Sequence, residues 1–378
     1  MNGNKNIAKL LLIWLVPIGF FSGNPLRAQS RNEAKTPKKI RVAFILPFCA
    51  SQSSPKEKRL WDVSSSYYSG AKWALKSHFF SGVKIDVYTY DNQHDEQRTR
   101  EILERPELST MDLIFGPVGE NHYQIISPFC KEYRIPLVSP FSEINGPIHN
   151  PLLLSVVGSN FSKVSNVIEI YEKYFWYKHL LIVDDEASEK QIFMSLLKER
   201  LKQKNIPFDW IKFRELSAID QIVLRHEDPL IFIPSNKKNV VSVSLGKLIS
   251  LGQNSTILGI EKWARWEGNE YAFWEKLKVH LLASSYVEEE DSFSRKIAMG
   301  YRQVNRKDMN RYAWAGYDQA QIFLSAFISM GKNFPQYIDE QKFKLSSSCI
   351  ELVQKNMRLE NKPWQLLQFK HNQLKYID

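Results

Sequence analysis

Apolar positions along the chain follow two alternating patterns. Short runs rich in β-branched and aromatic side chains predict strands, and longer stretches with apolar side chains every three or four positions predict helices. Residues 41–48 (RVAFILPF) form an almost continuous apolar run, which is typical of a strand that helices cover on both faces. A helical period follows at 64–80, and the alternation then continues, which indicates βα units around parallel sheets.

The predicted strands fall into two series. A stretch with Gly, Pro and Asn at 145–151 separates them and marks a predicted crossing between lobes. The first series is 41–48, 84–90, 111–115 and 135–139, and the second is 152–157, 179–183, 208–213, 230–233, 256–259 and 279–286. A single core stops growing beyond about 250–300 residues, so a chain of 378 residues is expected to form two lobes.

The first 28 residues have the pattern of a cleaved export signal. Lys5 and Lys9 precede an apolar run at 10–21, and Ala28 is a small residue suited to the cleavage point. The run is shorter than the roughly 20 residues of a spanning helix. Cys49 lies too far downstream to be a lipidated first residue. We therefore expect a soluble periplasmic protein that is not a lipoprotein and has no stable membrane insertion.

Charge limits the classes of molecule that the protein is expected to bind, and the cysteine count limits its disulfides. The net charge of +10 is spread over separate basic clusters with acidic stretches between them, and no nucleic-acid-binding module is recognisable. Nucleic acid is therefore excluded as an expected partner. The three cysteines, Cys49, Cys130 and Cys349, allow at most one internal disulfide, and their spacing does not choose between the three pairings and free thiols.

Signatures of catalysis and of cofactor binding are absent from the sequence. No two glycines stand two apart, so the GxGxxG dinucleotide motif cannot occur, and neither Gly-Lys pair has the upstream glycine of a P-loop. No GxSxG nucleophile motif exists. The eight histidines never adopt a metal-ligand spacing such as HExxH. We expect no enzyme activity, no cofactor and no metal.

Loops at the carboxyl ends of the predicted strands are the expected ligand-binding positions. In open α/β sheets, ligands bind where these loops meet the N-termini of helices. In the first lobe the loops are 49–63, 91–95, 116–121 and 139–145, and in the second they are 184–188, 234–238 and 260–266. The loops are rich in Ser, Asn, acidic residues and Trp, so two facing sheets would give a polar cleft.

The sequence resembles type 1 periplasmic binding proteins of the leucine/isoleucine/valine-binding class. The landmarks RVAFILPF, SYYSGAKWAL, KIDVYTYDNQHD, MDLIFGPV, IPLVSPFS and NPLLLSVVGSN occur in the order of that superfamily, and AWAGYDQAQIFLSAF resembles its returning helix. The likeness is strongest to an exported branch that sometimes carries LysM modules. It implies two Rossmann-like α/β lobes joined by a three-crossing hinge, with lobe 1 at 39–144 plus 288–338 and lobe 2 at 146–286 plus 340–378.

The same resemblance assigns ligand contacts to particular loops. In members that bind amino acids, the loops after the third and fourth strands hold the ligand carboxylate, and an acid of the second lobe holds the ammonium. Glu261 is the best candidate for that acid, whereas Glu120 departs from the family pattern and disfavours an anionic group nearby. The expected ligand-binding residues are Trp61, Asp91, Gly116, Pro117, Glu120, Asn121, Ser139, Phe141, Ser142, Asp184, Asp185, Glu186, Ser235, Asn236, Glu261 and Trp263.

Two functions are consistent with this sequence. The first is a non-catalytic solute-binding protein that closes on a small molecule, amino-acid-like or otherwise polar, and presents it to a membrane transporter or sensor. The second is a two-lobe fold that has lost its ligand and docks on cell-envelope (peptidoglycan) machinery, as wall-synthase activators do. The second function predicts a cleft plugged by side chains such as Phe141 or Trp263.

Overall fold

The computed structural model describes residues 37, 39–76, 82–266, 271–288, 291–338, 342–347, 349–355, 357–362 and 364–377. The predicted export signal at 1–28 lies outside the described residues. All statements below concern the described part of the chain.

Strands supply two mixed sheets. In chain order they are β1 Lys39–Leu46, β2 Lys84–Asp91, β3 Leu113–Phe115, β4 Leu137–Ser139, β5 Leu153–Ser155, β6 Leu180–Asp184, β7 Phe208–Lys212, β8 Leu230–Phe232, β9 Thr256–Ile260, β10 His280–Ala283, β11 Lys342–Lys344, β12 Cys349–Lys355, β13 Arg358–Asn361, β14 Gln365–Lys370 and β15 Gln373–Tyr376. The first sheet has the order β11-β12-β13-β5-β4-β3-β1-β2, and the second has the order β15-β14-β10-β9-β8-β6-β7.

Helices connect the strands. They are α1 Pro55–Leu75, α2 Glu96–Leu103, α3 Glu120–Glu132, α4 Asn160–Ile170, α5 Gln191–Gln203, α6 Ile219–Val223, α7 Lys238–Leu251, α8 Tyr271–Lys276, α9 Ser292–Asn305 and α10 Arg311–Met330. Within the described ranges, no helix combines the length and the apolar character needed to cross a membrane. Each sheet is parallel at its centre, and antiparallel pairs occur only among the late strands: β11 with β12, β12 with β13, β10 with β14 and β14 with β15.

Alternate side chains of each central strand enter cores on opposite faces of the sheet. Val42 and Phe44 of β1 pack with residues of α1 and α10, whereas Ala43 and Ile45 pack with residues of α3 on the other face. The second sheet repeats this arrangement, with Val183 and Ile182 of β6 on opposite sides. Both sheets are therefore covered by helices on two faces, which explains why their strands are nearly continuous apolar runs.

The chain passes between the sheets three times, but not where the sequence analysis placed two of the passages. β5, expected in lobe 2, pairs in parallel with β4 of the first sheet. β13, also expected in lobe 2, pairs with β5, and only β14 and β15 continue into the second sheet. The sequence pattern alone does not predict which sheet β5 and β13 join, because a short apolar run indicates a strand but not its neighbours.

Helix α1 begins earlier than its apolar pattern indicates. Ser54 caps it by accepting a hydrogen bond from the Glu57 backbone N–H at 3.2 Å, and Pro55 occupies the first turn. Strand-end placement predicts that Trp61 lies in the loop at 49–63 and binds ligand. In the structure Trp61 lies on this helix and is half-buried.

Two glycines allow α1 and α10 to pack backbone against backbone. A Cβ atom added at Gly70 would lie 1.8 Å from the Ala313 carbonyl oxygen, and one at Gly316 would lie 2.0 Å from the Tyr67 carbonyl oxygen. Because both obstructing atoms are backbone atoms, neither can move without shifting a helix. This contact joins the first βα unit to the returning helix and completes the first lobe.

Gly316→Ala is expected to lower the free energy of unfolding by about 1–3 kcal/mol or more, because overpacking displaces helix α1. Gly246 of α7 is the matched control, since an added Cβ there meets nothing within 4 Å. Gly246→Ala should stabilise the protein by up to about 1 kcal/mol through helix propensity. Denaturant unfolding of both variants measures the difference, and equal stabilities would contradict the close packing.

Candidate functional site

A cleft of about 870 Å³ lies where the carboxyl ends of the two sheets meet. Phe141 and Glu143, after β4, line it from the first lobe. Asn236, after β8, and Ser284, after β10, line it from the second. Its position follows from the parallel βα connections, because they bring the carboxyl ends of successive strands to one edge of each sheet.

Positive charge exceeds negative charge along the cleft. Five lining residues are cationic and three are anionic. The cations are Lys163, Lys190, Lys262, Arg265 and Arg311, and the anions are Glu143, Glu189 and Glu261. Lys163 forms an ion pair with Glu143, and Arg265 pairs with Glu261 at 2.7 Å. These pairs remove two charges of each sign, so the remaining lining favours an anion.

Lys190 is a half-buried cation of this lining and, unlike Lys163, has no carboxylate of the described residues within ion-pair distance. Its ammonium donates a hydrogen bond to the Pro234 carbonyl, which also lines the cleft. Burial lowers the pKa of Lys190, while the neighbouring carboxylates of Asp185 and Glu189 oppose that shift. An anionic group bound beside Lys190 would compensate the desolvated charge, since opposite charges attract more strongly away from bulk water.

Aromatic side chains from both lobes also face the cleft. In the first lobe, Phe141 meets the ring of Tyr312 edge to face at a centroid distance of 5.5 Å. In the second, Trp266 stacks on the buried Trp263 at 6.3 Å. Trp364 lies at the passage from β13 to β14 and lines the cleft as well. Such rings offer a large contact area with little conformational entropy to lose.

Of the sequence-predicted ligand residues, Phe141, Asn236 and Glu261 line this cleft. Those that do not are Trp61, Asp91, Gly116, Pro117, Glu120, Asn121, Ser139, Ser142, Asp184, Asp185, Glu186, Ser235 and Trp263. Most of these side chains form hydrogen bonds or core contacts within their own lobe.

In the first lobe, the loops after β3 and β4 are joined by hydrogen bonds. The Ser142 hydroxyl accepts the Gly119 N–H at 2.7 Å. Glu120 accepts the backbone N–H groups of Asn145 at 2.7 Å and Gly146 at 2.5 Å. The carboxylate that seemed out of place by family resemblance thus closes a loop of its own lobe.

The other first-lobe predictions have structural partners too. Asp91 accepts the Cys49 N–H at 3.1 Å, and the Pro117 carbonyl accepts the hydroxyl of Tyr123. Ser139 is buried and donates to the Ser142 carbonyl at 3.4 Å. Gly116 has a φ of +97° and an added Cβ would lie 2.0 Å from the Ile45 carbonyl oxygen, so this turn requires glycine. Asn121 is exposed.

In the second lobe, the acids after β6 hold turns and neighbouring loops. Asp184 accepts the Glu186 N–H at 2.8 Å, and Asp185 accepts the Ser235 hydroxyl at 2.5 Å. The Glu186 carboxylate forms an ion pair with Lys212, with Oε1 and Nζ 3.0 Å apart.

Glu261, expected to hold an ammonium group, has several partners. It accepts the N–H of Ser284 at 2.6 Å and its hydroxyl at 2.7 Å, together with the Ser285 N–H at 3.2 Å. With Arg265 as its ion-pair partner, it has little capacity left for an amino-acid ammonium. Trp263 is fully buried and donates from Nε1 to the Ser235 carbonyl at 3.0 Å, so it belongs to the core of the second lobe.

Sequence reasoning missed several lining residues. Lys190 precedes α5, Arg311 and Tyr312 begin α10, and Asn361 ends β13. The polar stretch at 305–310 predicts a loop before α10, but the family resemblance assigns α10 to the returning helix and not to the site. Asn361 could not be placed, because it depends on β13 joining the first sheet.

Comparisons with known proteins agree with this architecture. Residues 74–218 match the sequence profile of the family described as the receptor family ligand binding region. Among curated proteins, none matches the sequence. The family match spans less than half of the chain, so the whole architecture is compared through solved structures.

Three solved structures share the fold. A branched-chain amino acid ABC transporter periplasmic ligand-binding protein from Burkholderia xenovorans is 14% identical, with a TM-score of 0.60 over 90% of this chain and 94% of that one. The LpoA C-domain from Haemophilus influenzae, a regulator of PBP1A, is 12% identical, with a TM-score of 0.61 over 89% and 100%. A Rhodopseudomonas palustris ABC transporter solute-binding protein in complex with 3,4-dihydroxybenzoic acid is 12% identical, with a TM-score of 0.55 over 90% and 96%.

The chain has the type 1 periplasmic binding fold. The fold class predicted from the sequence, two α/β lobes of mostly parallel sheet joined by three crossings, is therefore confirmed. Identities of 12–14% establish the fold alone.

Within this type 1 binding fold, a buried ion pair stands at the third crossing. Arg358 and Glu360 of β13 are each 2% exposed, and the guanidinium contacts the carboxylate at 2.5 Å. Arg358 also donates to the carbonyls of Ile144 at 2.6 Å and Gly146 at 2.9 Å. The pair is thus anchored to the loop that follows β4 of the first lobe.

The other oxygen of Glu360 reaches the second lobe. It accepts the hydroxyls of Ser159 at 2.9 Å and Ser162 at 2.5 Å, at the N-terminus of α4. Burial tends to raise the pKa of Glu360, but the Ser162 hydrogen bond and the Arg358 charge outweigh it and hold the pKa below its usual range. The carboxylate therefore stays ionised and joins the two lobes at the third crossing.

Glu360→Gln is expected to destabilise the protein by about 3–5 kcal/mol near neutral pH, because it leaves Arg358 buried without its counter-charge. Glu169→Gln is the control, since Glu169 is exposed and lies 3.9 Å from Lys362.

The effect of this substitution should depend on pH. Because the pKa of Glu360 is lowered in the folded state, its contribution to the free energy of unfolding is present above the unfolded-state pKa and is lost as the pH falls through the folded-state value. The gap between Glu360→Gln and the unaltered protein should shrink there, and urea unfolding across a pH series measures it. A gap that is independent of pH would contradict the ion pair.

Proposed function

We propose that this protein is an exported, non-catalytic solute-binding protein of the periplasm that closes its two lobes on a small polar solute with an anionic group. The observation that carries the proposal is the cleft itself, which both lobes line and in which cations exceed anions. Its volume of about 870 Å³ falls within the range of roughly 300–1,000 Å³ typical of small-molecule sites. The fold shared with transporter-associated binding proteins supports the same reading.

Binding would act by a shift in population. Ligand contacts with Phe141 and Tyr312 on one side and with Lys190 and Asn236 on the other are complete only when the lobes close. A solute with more contacts in the closed form stabilises that form by its differential affinity. A membrane transporter or sensor would recognise the closed shape, and no bond would be made or broken.

The expected solute differs from the amino acid that family resemblance suggests. Glu261 already has Ser284 and Arg265 as partners, and Glu189, the remaining acid of the lining, stands beside the Lys190 ammonium, so the lining is poorly suited to a further ammonium group. The rings of Phe141, Trp266 and Trp364 favour an apolar or planar part of the solute. An aromatic or otherwise extended carboxylate fits these features.

Thermal shift with a panel of carboxylates, compared with matched neutral amides, tests the proposal. A bound carboxylate should raise the melting temperature, because a ligand in hundredfold excess over its Kd stabilises by about 2.7 kcal/mol. Native mass spectrometry of gently purified protein should show a small anionic molecule bound to it.

Lys190→Gln should weaken the affinity for that carboxylate by roughly tenfold or more, since a charge-assisted hydrogen bond is worth about 1.5–3 kcal/mol. Lys202→Gln on the exposed side of α5 is the control and should bind as the unaltered protein does. Isothermal titration calorimetry measures the affinity of the unaltered protein and of both variants for the carboxylate. A flat screen, or equal affinity in the Lys190 variant, would contradict the proposed site.

A second candidate function rests on a separate observation. The groups that resemblance assigned to ligand binding are bonded to one another, Ser142 to Gly119 and Glu120 to Asn145. This favours a fold that has lost its ligand and docks on envelope machinery, and the likeness to the LpoA C-domain supports it. Trp263 does not plug the cleft, because it is buried in its own lobe. Capture of a cell-wall synthase from envelope extracts, together with a flat solute screen, would decide for this function.

A further inference from the structure

Three potential metal ligands meet at the amino-terminal edge of the second sheet, the edge opposite the cleft. His179 directly precedes β6, Asp209 is the second residue of β7, and His226 stands shortly before β8. β6 pairs with both β7 and β8, so these segments are neighbours although they are far apart in sequence. Sequence spacing could not reveal the group, because each ligand comes from a different βα unit.

The donor atoms of the three side chains are close together. Nε2 of His179 lies 2.8 Å from Oδ2 of Asp209. The rings of His179 and His226 stack with centroids 3.6 Å apart and planes 5° apart. One donor atom from each residue lies within 4.8 Å of the other two. All three side chains are partly accessible from solvent, so an ion can enter.

The surrounding charges leave this group able to accept a cation. Two nearby ammonium groups, of Lys178 and Lys278, are held by Asp228 at 2.6 Å and 2.9 Å. Arg225, next to His226 in the chain, adds a positive charge, and the Asp209 carboxylate opposes it.

We propose that His179, Asp209 and His226 bind one divalent transition-metal ion of the zinc class. Two imidazoles and one carboxylate are ligands that zinc takes at about 2.0–2.2 Å, with a water or an outside donor in the fourth position. Donor atoms around a tetrahedral zinc stand about 3.3 Å apart. The His179–Asp209 contact therefore has to lengthen by about 0.5 Å, and the more distant donors have to approach.

The stacked rings must also change their relative tilt. The lone pairs of two stacked imidazoles lie in parallel planes, whereas two ligands of one ion must converge on it. Rotation about χ2 achieves this, since that torsion has broad minima in histidine. The ion would link β6, β7 and the segment before β8, and its open position faces solvent at a surface remote from the solute cleft.

Titration of zinc chloride into chelator-treated, untagged protein tests the site. We expect one zinc ion per chain and no binding of magnesium under the same conditions, because magnesium prefers oxygen ligands and octahedral geometry. His226→Gln and Asp209→Asn should each weaken zinc binding by roughly tenfold or more, as loss of even an indirect partner costs about 10–100-fold. His371→Gln, an exposed histidine on the β14–β15 turn, should leave it unchanged.

Cobalt substitution provides a spectroscopic readout that is independent of solute binding. The unaltered protein should show the visible absorption of tetrahedral cobalt, and the His226 and Asp209 variants should lose it. Melting temperatures without metal establish that the variants fold. The absence of zinc binding, or equal binding by the unaltered protein and both ligand variants, would overturn the proposal.

Discussion

The buried ion pair between Arg358 and Glu360 connects the parts that make the cleft. It lies on β13, where the chain leaves the first sheet, and it bonds both to the loop after β4 and to the beginning of α4 in the second lobe. A buried pair of this kind adds little net stability but is costly to break, so it maintains the arrangement in which the third crossing is attached to both lobes. The facing edges of the two sheets, and hence the lining of the cleft, depend on that arrangement.

Hydrogen-bonding groups of the loops expected to bind ligand are already paired within their own lobe, and this changes what the cleft can recognise. The family resemblance predicts that these loops bind a ligand carboxylate, but the Gly119 N–H is occupied by Ser142 and the Asn145 N–H by Glu120 of the same lobe. In the solute site that we propose, Lys190 and the aromatic rings of the lining would recognise the solute instead. The fold thus keeps the two-lobe frame while its chemistry has moved along the strand edges, which is why fold likeness alone does not identify a solute.

The sequence predicts the fold well and the site poorly, for physical reasons. Central strands such as β1 and β6 are recognisable because burial on both faces requires continuous apolar runs. β13 is not, since its pairing with β5 depends on partners more than two hundred residues away. Trp61 was misplaced because Ser54 and Pro55 start α1 before its apolar period is visible. Strand-end placement identified Asn236 and Glu261, but it cannot show that the acid is already paired.

Closure of the two lobes is tested most directly by small-angle X-ray scattering with and without the carboxylate selected by the thermal-shift screen. If the lobes close on the solute, the radius of gyration of the unaltered protein should fall as solute is added, and the Lys190→Gln variant should need a solute concentration roughly tenfold higher or more for the same fall. An unchanged radius in the unaltered protein with solute demonstrably bound would contradict closure of the two lobes.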